Sequence, residues 1–264
     1  MSVAASSRRP VAIVTGSSSG IGAASAVRLA GAGYDVVVNY VHNAQGAQTV
    51  AEACAAAGAD TVVVAGDIAD DEACRAIADA AAARWGRIDV LVNNAGTTRY
   101  ADAADLDMLS SEDFRSIFEV NVTGTYQMVR AAAPSLKRSP VASIVNVSSH
   151  AGFSGLGSSL AYAASKGALN TLTLGLARSL APAIRVNAFC PGFVNTRWSL
   201  SWQSEDNLAR FKEHVTEIAP LKRIPTVEDV AEAILWFATG GACITGQLLV
   251  LDGGTHLTVG SPMP

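Results

Sequence analysis

Short runs of β-branched and aliphatic residues alternate along this chain with longer stretches rich in Ala and Leu. The runs predict seven strands, at 11–15, 35–40, 61–65, 88–93, 143–148, 184–189 and 247–251. The stretches between them predict helices near 20–32, 44–57, 71–84, 111–136, 159–180 and 227–238, several of which begin at a Ser, Asp or Thr suited to capping. Strand–helix alternation of this kind is expected when helices cover both faces of a parallel sheet. The predicted architecture is therefore a single doubly wound α/β domain over 10–264, preceded by a flexible tail at 1–9. In such a sheet ligands bind beyond the carboxyl ends of the strands, so the residues that directly follow a strand are where chemistry is to be sought. The segment 193–219 interrupts the alternation and carries Trp198, Trp202 and Phe211; it reads either as a small helical flap over a pocket or as aromatic packing against the body or a neighbouring subunit.

Composition narrows the function classes. Of 264 residues, 50% are hydrophobic and 16% charged, with a formal net charge of -4. That balance suits a compact globular protein, offers no basic footprint for nucleic acid, and contains no basic run for an acidic membrane. Cys54, Cys74, Cys190 and Cys243 are widely spaced, without metal-pair spacing or a disulfide framework, and are expected to be reduced thiols. Arg8 and Arg9 would suggest an export signal only if a long apolar segment followed. The run Val11–Val14 is too short for that, so the cytoplasm is the expected location. His42, His150, His214 and His256 show no metal-ligand spacing, and no catalytic metal is expected.

The first strand runs into Thr15-Gly16-Ser17-Ser18-Ser19-Gly20-Ile21-Gly22 and then directly into a helix. Gly16 permits a tight turn, Gly20 lets the backbone approach a pyrophosphate, and Gly22 allows close helix packing, while unpaired helix N–H groups face the anion. In the second half, Tyr162 and Lys166 lie four residues apart in a predicted helix, so the phenol and the ammonium share one face. A nearby positive charge favours phenolate and lowers a tyrosine pKa. Tyr162 could then give a proton to a carbonyl oxygen, or take one from an alcohol. Ser148 and Ser149 end a strand thirteen residues or so upstream, and either hydroxyl could serve the substrate oxygen.

Together these motifs resemble the short-chain dehydrogenase/reductase family over nearly the whole chain. The TGxxxGxG spacing is similar to its cofactor fingerprint, and alignment from the tyrosine selects Ser149 as the matching catalytic serine. The resemblance implies a Rossmann-like fold with Asn121, Ser149, Tyr162 and Lys166 as the catalytic set. In that set Asn121 kinks a helix and supports a relay water, and Lys166 also holds the nicotinamide ribose. It further implies that Asp67 and Ile68, after the third strand, lie near the adenine, and that Asn94, Ala95 and Gly96 of the Asn93–Gly96 turn support the cofactor. Pro191, Gly192, Val194 and Thr196 match the segment that holds the nicotinamide end, and Asp252-Gly253-Gly254 resembles the family's final turn.

An NAD enzyme would usually carry an acid at the end of the second strand, against the adenosine ribose. Here Asn39-Tyr40-Val41-His42 has none, so Asn39, Tyr40, His42 and Ser18 are available to hydrogen-bond a 2′-phosphate. No Arg or Lys adds a bidentate contact. NADP(H) is the expected cofactor, with NAD(H) as the alternative, and Asn39→Asp is expected to turn the preference toward NADH. Within the family the chain looks most like 3-oxoacyl-carrier-protein reductases, including Pro220-Leu221-Lys222-Arg223. Lys137 and Arg138 could meet an acidic carrier, although Pro182 stands where many relatives have a basic residue. The implied substrate is a small-molecule carbonyl or alcohol, with sugar, polyol and steroid substrates as alternatives, and the implied assembly is a homotetramer, with a dimer as the alternative. A regulatory protein that senses NADP(H) without turnover is the reading from a different class; the intact Tyr162, Lys166, Ser149 and Asn121 set argues against it.

Overall fold

In the computed structural model, residues 9–196 and 205–258 are described. Seven parallel strands form one sheet in the order β3-β2-β1-β4-β5-β6-β7. They are β1 (Val11–Val14), β2 (Asp35–Tyr40), β3 (Thr61–Ala65), β4 (Val90–Asn93), β5 (Ser143–Val147), β6 (Arg185–Pro191) and β7 (Leu248–Leu251). The chain reverses its direction of winding at β1, whose other edge pairs with β4 through Ile13↔Leu91 and Val14↔Val92. That is the crevice where the loops after two adjacent strands diverge.

Side chains alternate across β1, and each parity meets a different helical layer. Ala12 and Val14 enter one core with Leu29 of α1 (Gly20–Gly31), Val50 of α2 (Ala44–Ala56) and Phe237 of α9 (Val227–Thr239). Val11 and Ile13 enter the other, with Ile77 of α3 (Asp71–Trp85), Met128 of α5 (Thr125–Leu136) and Leu176 of α7 (Leu160–Leu180). The strands of the sheet's centre are apolar because both faces are covered.

The structure departs from the sequence pattern in informative places. The single helix expected at 111–136 is three pieces: α4 (Ser111–Phe118), a π-helical turn (Glu119–Gly124) and α5. A π turn inserts residues without interrupting the run of helix formers, so periodicity does not reveal it. A short α6 (Ala151–Ser154) follows β5. The expected flap contains α8 (Glu205–Ile218), and Phe193 and Phe211 meet edge to face with centroids 5.0 Å apart. Trp198 and Trp202 lie outside the described residues. Arg9, assigned to a flexible tail by sequence, is instead fastened: its guanidinium donates to the carbonyls of Gly58, Ala30 and Tyr34 and pairs with Asp35 at 3.3 Å. All four cysteines are free thiols, three of them buried and Cys243 exposed.

Opposite the crevice, Asp89 closes the other end of the sheet. Its buried carboxylate accepts from Val11 N at 2.8 Å, from Arg87 Nε and Nη2 at 2.8 and 2.7 Å, and from Ser139 Oγ at 2.5 Å. Burial alone would raise its pKa, but these donors outweigh burial and hold it below the usual carboxylate value. The carboxylate's contribution to stability is thus present above the unfolded carboxylate pKa and is lost as pH falls through the lower folded value. Asp89→Ala should lower the unfolding free energy by about 3 kcal/mol, since it strands buried donors. Denaturant melts at neutral pH check this, and a loss within error of zero would remove Asp89 as a structural tie.

Candidate active site

The glycine turn after β1 is set by the second strand. Gly16 N donates to Asn39 Oδ1 at 3.0 Å, Ser17 N donates to Asn39 O at 2.8 Å, and Ser17 Oγ donates to Val14 O at 2.8 Å. Gly16 and Gly20 adopt left-handed φ values of 59° and 57°, which side chains disfavour. At Gly22 the constraint is packing: a Cβ there would lie 2.4 Å from Asn94 Nδ2 and 2.6 Å from Gly16 O. Asn94 Nδ2 in turn donates to the carbonyls of Thr15 and Gly16 at 2.9 and 3.0 Å, locking the turn after β4 against the glycine turn.

These loops border a cleft of about 830 Å³. Gly16, Ser18, Ser19, Gly20, Ile21, Asn39 and His42 line one end, Asp67, Ile68, Asn94, Ala95 and Gly96 its wall, and Ser149, Tyr162, Lys166, Pro191, Gly192, Val194 and Thr196 the other end. The helix start within it fits an anion: α1 has no side-chain cap and no acid in its first turn, whereas Asn43 caps α2 and Ser159 caps α7. Uncapped N–H groups beside two left-handed glycines suit a dinucleotide pyrophosphate.

Three expected site residues stand behind the lining rather than in it. Gly22 acts through packing. Asn121 supports the wall from inside. Tyr40 packs against the core side of β2, and its carbonyl accepts from Gly66 N at 2.9 Å, so its phenol is not among the cleft groups. Asn39 also requires correction. It reaches the cleft at its edge, yet its Oδ1 holds Gly16 and its two N–H bonds are directed to the carbonyls of Val64 and Gly66 at 3.3 and 2.9 Å. No donor is left for a phosphate. Residues not anticipated include Asn43, whose Oδ1 accepts from Gly46 N at 3.0 Å while Nδ2 donates to Ser18 O at 3.4 Å. Its signal was present as an N-cap asparagine with a glycine three residues into the helix.

At the far end the four catalytic candidates converge from three elements: the turn after β5, the π turn and α7. Ser149 follows β5; its hydroxyl accepts from Ala151 N at 3.1 Å, and it lines the same end of the cleft as Tyr162. Ser148 faces inward, bonded to Asn170 Oδ1 at 2.6 Å and Lys166 O at 3.2 Å, which separates the two serines by geometry. Lys166 Nζ donates to Val147 O at 2.9 Å and lies 5.6 Å from the centre of the Tyr162 ring. Asn121, fully buried on the π turn, accepts at Oδ1 from Thr97 N (2.8 Å) and donates through Nδ2 to Thr97 O (3.0 Å) and Ser165 Oγ (2.9 Å). It joins the turn after β4 to the helix that carries Tyr162 and Lys166.

The electrostatics differ from the expected lowering of the tyrosine pKa. Burial pushes the Tyr162 phenol up to about 12, with Ser149 pulling partly back, and burial brings the Lys166 ammonium down to about 8. In this state of the protein desolvation is the leading cause at both groups. The phenol, already protonated at neutral pH at its ordinary value, is held in that form more firmly.

Fold and site together define a Rossmann-type oxidoreductase. A family model described as Enoyl-(Acyl carrier protein) reductase matches residues 16–256. The chain is 46% identical over 248 residues to the Streptomyces violaceoruber protein named "Granaticin polyketide synthase putative ketoacyl reductase 2", covering 94% of this chain and 96% of that one. It is 33% identical to the 3-oxoacyl-[acyl-carrier-protein] reductase FabG of Staphylococcus aureus, over 93% of this chain and 98% of that protein. Its fold superposes with a TM-score of 0.88 and 44% identity on the crystal structure of a "putative short-chain dehydrogenase/reductase" from Burkholderia xenovorans, covering 95% and 99% of the two chains. The chain belongs to the short-chain dehydrogenase/reductase family.

Two expectations follow from the geometry. Asn39→Asp would set a carboxylate oxygen against the carbonyls of Val64 and Gly66, so it should weaken NADPH and NADH alike and cost about 2 kcal/mol of stability; paired titrations check this, and a clean reversal of cofactor preference would return Asn39 to the phosphate site. For Lys166, the ammonium is charged below about 8 and neutral above it. Wild-type dinucleotide affinity should therefore fall as pH rises through that value, and in Lys166→Ala it should be weak and flat with pH. A wild-type affinity with no pH dependence between 6 and 10, about two units either side, would show that the ammonium does not hold the dinucleotide.

Proposed function

We propose that this protein is an NADP(H)-dependent ketoreductase acting on a 3-oxoacyl thioester or a small ketone. The observation that carries the reading is the convergence of Ser149, Tyr162 and Lys166 on one end of a dinucleotide-sized cleft, with the Lys166 ammonium 5.6 Å from the centre of the Tyr162 ring. A reduced nicotinamide bound in the cleft would supply the hydride for the carbonyl carbon. Tyr162, protonated at neutral pH, gives its proton to the carbonyl oxygen, and Ser149 donates a hydrogen bond to that oxygen as negative charge develops. Lys166 orients the ribose and stabilises the phenolate that remains after transfer. Asn121 keeps the turn at Thr97 in register with the catalytic helix. The names of the two relatives, a ketoacyl reductase and a 3-oxoacyl-carrier-protein reductase, support this substrate class.

The preference for NADP(H) over NAD(H) is supported by the lack of a carboxylate in Asn39-Tyr40-Val41-His42, together with Ser18, His42 and Asn43 at that end of the cleft. A homotetramer is supported by exposed apolar side chains on the elements the family uses for assembly, among them Tyr126 and Leu174 on α5 and α7 and Trp236 and Leu249 on α9 and the edge strand β7. A cytoplasmic location accords with the reduced thiols and with the lack, among the described residues, of a helix long and apolar enough to cross a membrane.

Absorbance assays with NADPH and NADH against 3-oxoacyl thioesters, diketones, sugars and steroid ketones test the substrate and cofactor together. On an active substrate, Tyr162→Phe should lower kcat by about a hundredfold or more while leaving the dinucleotide Kd close to wild type, since it removes the proton and spares the glycine turn. Near-normal turnover in the folded variant would remove Tyr162 as the proton donor.

A further inference from the structure

The wall of the cleft between β3 and α3 is a short loop, Gly66–Ala69, of which Gly66, Asp67 and Ile68 border the cavity. Within the loop, Asp67 Oδ1 accepts from Ala69 N at 3.0 Å and Asp67 O accepts from Asp70 N at 3.0 Å. Loops of this kind are held by whatever packs behind them, because they have no ladder of their own. Here the support comes from α5 and the π turn. Gln127 Nε2 donates to Ile68 O and to Ala69 O, both at 3.0 Å, so one amide takes two successive carbonyls of the loop. Gly124 lets the helix come this close: a Cβ there would lie 2.7 Å from Ile68 O. Cys74 Sγ adds a second donor to the Ile68 carbonyl at 3.2 Å.

Gln127 is only 9% exposed, on a helix face turned about 100° from the neighbouring stripe of Met128, Ala132 and Leu136 that enters the core. Packing alone would be served by an apolar side chain, since a buried amide is costly unless bonded. Its bonds all go to the cleft wall. The same helical segment carries Asn121, six residues earlier, whose amide holds Thr97 and Ser165 at the catalytic end. We propose that Gln127 is a positioning residue for the dinucleotide: it holds the Asp67–Ala69 wall in its binding conformation and registers it against the helix that carries Asn121. A wall ordered in advance spares the ligand the entropy of ordering it, so the effect falls on binding rather than on hydride transfer at the other end.

This rests on the proposed dinucleotide occupying the cleft. The test uses the intact protein and reads Kd by fluorescence titration of NADPH and NADH, with kcat at saturating dinucleotide and a thermal melt alongside. Gln127→Met keeps the length and removes both donors. It should raise the Kd of both dinucleotides about tenfold, equivalent to about 1.4 kcal/mol, with kcat within about twofold of wild type. Gln127→Glu keeps the shape but turns an acceptor toward two carbonyls, and should lose at least as much affinity. The analogue of NADPH carrying hypoxanthine in place of adenine should be affected less than NADPH, because a loosened wall discriminates the base poorly. A wild-type Kd in either folded variant overturns the role of Gln127, as does a kcat that falls in step with affinity. Wild-type protein that binds neither dinucleotide overturns the proposed function itself, which the variants by themselves would leave standing.

Discussion

The parallel pairing of β1 with β4 is the constraint on which the rest of the molecule depends. It sets the glycine turn after one strand beside the Asn93–Gly96 turn after the other, with side chains of Thr15 and Asn94 as the fastening. Thr15 Oγ1 accepts from Asn94 N and Ala95 N at 3.0 and 3.1 Å, and Asn94 returns two bonds to the carbonyls of Thr15 and Gly16. Backbone groups of these two turns thus find side-chain partners across the crevice, as burial demands. The start of α1 has no side-chain cap, and it faces the cleft.

A second layer of buried polar groups connects that crevice to the catalytic helix. Asn93 Nδ2 donates to Asn146 Oδ1, Asn146 Nδ2 to Thr173 Oγ1, and Thr173 Oγ1 to Leu169 O, each within 2.9 Å. Ser148, Asn170 and Cys190 form a neighbouring set beneath Lys166. These bonds fix α7 along the sheet so that Tyr162 and Lys166 emerge where β5 and β6 end. The site then places a phenol and an ammonium where water is largely excluded, and both pKa values move toward the neutral forms. Burying the ammonium opposes folding near neutral pH, a local cost that a large core can absorb and that active sites commonly carry.

The π turn between α4 and α5 serves both ends of the cleft. Asn121 reaches the turn after β4 and the catalytic helix, while Gly124 and, just beyond, Gln127 meet the loop after β3. An uninterrupted α-helix would rotate one of these contacts away from its partner, since each added residue turns the axis by about 100°. The bulge is thus a matter of registration, consistent with the frequent occurrence of π turns at functional sites.

Much of this was legible in the sequence. The doubly wound sheet followed from the alternation of apolar runs and Ala-rich helices, and the glycine spacing and the Tyr162/Lys166 pair marked both ends of the cleft, because each depends on local geometry that a few neighbouring residues dictate. What sequence could not decide were questions of competition between distant groups. Asn39 looked like a phosphate ligand until Gly16, Val64 and Gly66 were seen to occupy its amide. Lys166 looked sufficient to lower the Tyr162 pKa, yet burial of both side chains reverses the direction. The π turn within a continuous run of helix formers and the grip of Gln127 on the cleft wall were likewise visible only in three dimensions. Hydrogen-bond capacity and desolvation are shared among residues far apart in the chain, so their allocation exists only once the fold has brought those residues together.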